Sequence, residues 1–188
     1  MKKTVIVLLA LLLPASLWAM DIDQGRFELA GKTAFDFSDT TTELDGPQGD
    51  IDQTTWSIEF DGNYYLVRNL GLGLIFSYQD SEIDAGGPGG TIDSSTVFIG
   101  PQIIYLVPIG EKTSLFVNGA VGYAALEIED EDADGWGFKV GGGLKYFLTN
   151  AISINGSVNY QWLTMEADAG GDADTDGVSV GVGLSLYF

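Results

Sequence analysis

Residues 130–135 read DEDADG and residues 172–177 read DADTDG. Each sets three aspartates at alternate positions, Asp130, Asp132 and Asp134 in the first and Asp172, Asp174 and Asp176 in the second, and closes on a glycine. Carboxylates at this spacing open an EF-hand calcium loop, and such hard oxygen ligands suit magnesium as well. A full loop also needs a bidentate acid at its twelfth position and a helix on each side. The twelfth residue is Gly141 counted from Asp130 and Gly183 counted from Asp172. An EF-hand is therefore excluded. The remaining expectation is that Ca2+ or Mg2+ gathers at these six aspartates, with ligands shared between neighbouring segments. No other cofactor is expected.

Other chemistry is limited by what the chain lacks. It has no His and no Cys, hence no disulfide, no thiolate metal site and no imidazole general base. No enzymatic activity is expected. Of its eight basic residues, Lys2 and Lys3 belong to an N-terminal stretch, MKKTVIVLLALLLPASLWA, that reads as a secretory signal peptide. It has a basic start, an apolar core from Val5 to Leu13 and a small residue at Ala19, where the cut is expected. Residues 1–19 are thus assigned to the leader and 20–188 to the mature protein. The mature chain keeps six basic residues against 27 acids, a net charge of −21. Such a chain repels nucleic acid and attracts cations.

The elements that carry the aspartates follow from the hydrophobic period. No further stretch is long and apolar enough for a membrane helix, and the recurring period is two. In SINGSVNYQW, residues 153–162, Ile154, Gly156, Val158, Tyr160 and Trp162 share one face, while Ser, Asn and Gln fill the other. The last strand alternates in the same way from Val178 to Phe188. This test predicts eight strands, at about 25–38, 54–66, 70–79, 94–107, 114–126, 136–148, 151–165 and 177–188. Strands four and five carry apolar residues on both faces, and Pro101 marks a possible bulge. The links alternate between long (39–53, 80–93, 127–135 and 166–176) and tight. All long links therefore lie at one end, the arrangement of outer-membrane barrels. The long links hold 20 of the 27 acids and no base, so both aspartate motifs are expected at loop tips on the outward rim.

The charges inside the strands indicate which face is which. Arg26, Glu28, Lys32, Asp36, Glu59, Asp61, Lys139 and Lys145 all fall on the polar parity and sum to zero. A soluble barrel would spread many more charges over its outer wall. A balanced set among small residues fits a narrow interior, where charges must be paired. Symmetric pairing of strands one and two sets Lys32 opposite Glu59 and Asp61, with Lys139 and Lys145 reaching in from the far wall. On the apolar parity, Phe27, Phe37, Trp56, Tyr64, Tyr78, Tyr105, Tyr123, Trp136, Tyr146, Trp162 and Phe188 fall near strand ends, where interfacial belts belong. The fold class is all-β, an eight-stranded antiparallel up-and-down transmembrane barrel.

With FIGPQIIYLVP (98–108), GFKVGGGLKYF (137–147) and the terminal VSVGVGLSLYF in place, the chain from about Gly25 to Phe188 resembles the small outer-membrane barrels: the OmpA transmembrane domain, OmpX and the opacity proteins. The resemblance implies residence in the cell outer membrane among lipid and lipopolysaccharide. It also implies that Phe188 is read by the barrel-assembly machinery, although Leu186 stands where the family often has an aromatic. Eight strands enclose room for side chains alone, so a structural or surface-binding role as a monomer is expected. A narrow porin-like cation channel, or an adhesin or receptor surface, are the alternative readings.

Overall fold

A computed structural model describes residues 22–38, 52–84, 91–128, 131–167 and 172–188. The leader expected over 1–19 lies outside them. Eight strands follow one another: β1 (Phe27–Ser38), β2 (Asp52–Val67), β3 (Leu70–Asp84), β4 (Thr91–Pro108), β5 (Thr113–Ile128), β6 (Glu131–Thr149), β7 (Ile152–Ala167) and β8 (Asp172–Tyr187). Each pairs antiparallel with the next, and β8 returns to β1 to close the barrel. Closure leaves no free edge, so the backbone donors and acceptors are satisfied within the sheet.

The period-two pattern sorts the faces. On β1 the buried positions are Glu28, Ala30, Lys32 and Ala34, and the exposed ones include Phe27, Leu29 and Phe35. The same alternation sends Ser153, Asn155, Ser157 and Asn159 of β7 inward and Ile154 and Val158 outward. The second apolar face of β4 and β5 also has a place. Phe98, Ile104, Leu106 and Phe116 turn into the lumen, where they belong to two apolar layers. Ile22, Tyr65, Ile104, Leu106, Phe116, Phe147 and Tyr187 form the layer at the tight-turn end. Ile75, Phe98, Ala120, Ala124, Leu163 and Met165 form the one toward the long links.

Two expectations are corrected. The outer ends of the strands run into segments read as loops: β3 continues to Asp84, β4 starts at Thr91, β6 at Glu131 and β8 at Asp172. Asp, Gly and Ser read locally as turn formers, but a neighbouring strand that offers a hydrogen-bonding ladder overrides that preference. Pro101 marks no bulge. The β4–β5 ladder passes from Ile99↔Tyr123 to Gln102↔Ala120 in one register, with Gly100 and Pro101 unpaired on that side alone. Proline has no N–H to give the ladder there. The register shifts lie instead at Tyr65/Val67 and Phe147/Thr149, beside the tight turns.

Lumen-facing glycines make room for long side chains. A Cβ on Gly183 would lie 2.7 Å from Lys32 Cγ and 2.3 Å from the Gly31 carbonyl oxygen. On the outward face, a Cβ on Gly156 would meet nothing within 4 Å. Gly183→Ala is therefore expected to destabilise the barrel by about 1–3 kcal/mol through overpacking, with Gly156→Ala within about 0.5 kcal/mol of wild type. Urea unfolding in lipid vesicles, followed by tryptophan fluorescence, separates the two.

Candidate functional site

The lumen gathers its charges from three strands. Glu28 and Lys32 project from β1, Glu59 and Asp61 from β2, Lys139 and Lys145 from β6, and all six are buried. Lys32 stands directly opposite Glu59 in the β1–β2 register. Its ammonium lies 2.7 Å from Glu59 Oε1 and 2.6 Å from Asp61 Oδ2. Lys139 crosses the lumen to donate to Glu59 Oε2 at 2.9 Å and to Ser77 Oγ at 3.1 Å. Glu59 is thus held between two ammonium groups, and Asp61 also accepts from Gln102 Nε2 at 3.1 Å.

A second group sits lower. Lys145 pairs with Glu28 Oε1. Tyr65 donates to Glu28 Oε2 at 2.6 Å and Tyr187 to Oε1 at 3.1 Å. Among the described residues the six buried charges are three lysines and three carboxylates, so they balance pair by pair. Desolvating charges this fully is tolerated only with such complete pairing. The aromatic layers close around them. Lys139 lies 5.6 Å from the Phe98 ring centroid above, and Lys32 and Lys145 lie 6.0 and 5.3 Å from that of Phe116 below.

Of the residues expected in this network, Arg26 stands apart from it and the side chain of Asp36 is not described. Arg26 is half-buried at the tight-turn end, where its guanidinium donates to the Tyr187 carbonyl at 3.4 Å and lies 5.7 Å from the Tyr187 ring centroid. It precedes β1 and does not reach the lumenal carboxylates. The Asp36 side chain lies outside the described residues, although its backbone pairs with Thr55 and Ser179. Tyr65, Tyr187, Gln102 and Ser77 were missed as partners. Their signal was inward parity combined with a hydroxyl or amide, which carries no charge to mark it.

The aspartate motifs occupy strands rather than loop tips. Asp132 and Asp134 are in β6, and Asp172, Asp174 and Asp176 in β8; Asp130 lies outside the described residues. Asp134 and Asp176 face outward, as Trp136 on β6 and Val178 on β8 do. Asp134 is exposed and accepts from the Tyr123 hydroxyl, and Asp176 accepts from Tyr160 at 3.2 Å. The registers oppose acid to acid: Asp52↔Asp84, Glu82↔Asp93, Glu127↔Asp132, Asp134↔Glu166 and Glu166↔Asp172. Among the described residues, no group of three or more His, Asp or Glu is arranged to hold a metal.

A family model for the outer membrane protein β-barrel domain matches residues 5–185. The chain belongs to that family. No curated protein matches it in sequence. Among solved structures it is similar to OprG from Pseudomonas aeruginosa, at 16% identity over 88% of this chain and 97% of that one, with a TM-score of 0.62. It is also similar to Neisserial surface protein A, at 12% identity over 88% and 100%, with a TM-score of 0.66. The outer membrane protein AlkL, studied in DMPC bilayers, shares 17% identity over 88% and 91%, with a TM-score of 0.53. At these identities the likeness is one of fold.

As an outer-membrane barrel, the molecule meets lipid with its exposed apolar face. Phe27, Tyr64, Tyr105, Tyr146 and Phe188 lie toward the tight turns, and Trp56, Tyr78, Tyr123, Trp136 and Trp162 toward the long links. The Phe37 side chain lies outside the described residues. Edge-on contacts join Trp56 to Tyr78 at 6.1 Å and Tyr123 to Trp136 at 6.4 Å. From Trp136 to Tyr146 is ten residues, about 34 Å of strand, or about 26 Å of membrane at a tilt near 40°. That matches the apolar band of such barrels. Phe188 ends β8's outward row, and its backbone exchanges hydrogen bonds with Phe27 at 2.9 and 3.2 Å.

Removing one member of the network leaves a buried charge behind. Glu59→Gln strands Lys139 and is expected to cost about 3–5 kcal/mol. Adding Lys139→Met to Glu59→Gln restores neutrality, so the double variant should be more stable than the sum of the singles. A double-mutant cycle by urea unfolding in vesicles measures that coupling.

Proposed function

We propose that this protein is a monomeric, non-catalytic surface barrel. Its outer rim of carboxylates binds divalent cations and, through them, the anionic lipopolysaccharide around it. The observation that carries the reading is the acid-to-acid register above the outer aromatic belt. Like charges directly opposite in a sheet repel. Paired positions set their Cβ atoms about 4.5–5.5 Å apart, a separation at which two carboxylates share one Ca2+ or Mg2+. Calcium takes six to eight oxygens, so such a pair leaves positions for water and for lipid phosphate. The cations therefore gather at many two-carboxylate sites, including those at Asp132, Asp134 and Asp172, rather than in one chelate, while Asp174 and Asp176, opposite Thr164 and Trp162, add to the negative field of the rim.

A structural or surface-binding role agrees with a lumen crossed by ion pairs between two apolar layers. Absence of His supports the non-catalytic reading. Phe188 is proposed as the residue that the barrel-assembly machinery reads.

In vesicles containing lipopolysaccharide, millimolar Ca2+ should raise the unfolding midpoint by a few degrees over NaCl of equal ionic strength, and EDTA should reverse the shift. Asp134→Asn combined with Asp172→Asn, which leaves Glu166 without an acid opposite on either side, should remove much of it. A midpoint that responds to ionic strength alone would sink the cation reading. Discrete conductance steps from wild type in planar bilayers would replace the closed barrel with a channel.

A further inference from the structure

The floor of the lumen contains one residue that belongs to no strand. Ile22 precedes β1, yet it is fully buried against Tyr65, Ile104 and Leu106. The residues that follow, Asp23, Gln24 and Gly25, are exposed. Among the described residues before β1, Ile22 is therefore the single buried side chain.

Its seat is built by the turn between β2 and β3. Asn69 is the one non-glycine residue with positive φ, 64°, among the described residues. Asparagine tolerates this left-handed conformation better than most residues. In that conformation its Oδ1 accepts from the Ile22 N–H at 2.9 Å, and its own N–H donates to the Ile22 carbonyl at 3.0 Å. Its carbonyl accepts from Leu106 N–H at 2.9 Å. One turn residue thus clamps the N-terminal segment to β4. The chain joins the wall at Gly25, whose φ of 88° only glycine adopts readily and whose N–H donates to the Tyr65 carbonyl at 2.9 Å. Every other floor residue is fixed in a ladder, so Ile22 is the piece that can leave without breaking the wall.

We propose that Ile22 is a detachable stopper for the tight-turn mouth of the lumen, clamped by Asn69 and hinged at Gly25. Its release would expose the apolar floor to the periplasmic side. The inference does not depend on the cation reading of the rim.

The chain has no Cys, so introduced thiols report without background. Ile104→Cys places a thiol in the floor, and Ala124→Cys places one in the layer at the other end. Refolded protein is treated with a small charged methanethiosulfonate. Adding Ile22→Gly should speed labelling at position 104 at least tenfold and leave position 124 unchanged, while Ile22→Leu should keep position 104 slow. Should the Ile22→Gly barrel fail to fold, Asn69→Gly provides the same reading, since it keeps the left-handed turn and removes the Oδ1 clamp. Unchanged labelling at position 104 would overturn the proposal. So would equal acceleration at both positions, which would show general loosening.

Discussion

Closure of the sheet is the constraint on which the rest of the molecule depends. Hydrocarbon offers no partner for an unpaired peptide group, so a strand-built membrane protein must join its last strand to its first. Here β8 pairs with β1 from Glu28↔Tyr187 to Ser38↔Gly177. Alternate side chains must then face lipid and a lumen that eight strands leave only wide enough to be filled.

That lumen is a packing problem with charges in it. Lysine fills length that a ring of small residues would leave empty, but each buried ammonium needs a carboxylate. Glu59 answers two of them at once, and Glu28 holds Lys145 with two tyrosine hydroxyls. Glycines on the inner face let these side chains lie flat. A Cβ on Gly141 would stand 2.0 Å from Asn159 Oδ1, and one on Gly143 would stand 2.9 Å from the Phe116 ring. The apolar layers above and below keep water from competing for the pairs.

Beyond the aromatic belt the same alternation continues without hydrocarbon to satisfy. Outward positions that must be apolar at Phe60 or Val182 become acidic at Asp134 and Asp176, and the hydrogen-bonded ladder persists. The rim is thus a continuation of the barrel under a different solvent. Repulsion between its carboxylates is the physical reason to expect counter-ions there.

Strand number, facing and the Lys32–Glu59 opposition were legible in the amino-acid sequence, because alternation is local and a hairpin's register follows from its own two arms. The sequence also placed Glu28, Lys32, Glu59, Asp61, Lys139 and Lys145 on the inner face. Tertiary structure alone decided that Lys139 reaches Glu59 across 80 residues and Lys145 reaches Glu28 across 117, since such meetings depend on the diameter and stagger of the closed barrel. It likewise excluded Arg26 from the network and buried Ile22 under a turn 47 residues away. It carried DADTDG, and most of DEDADG, from loop into strand. Local propensity reports what Asp and Gly prefer alone, whereas a neighbouring ladder determines what they adopt in company.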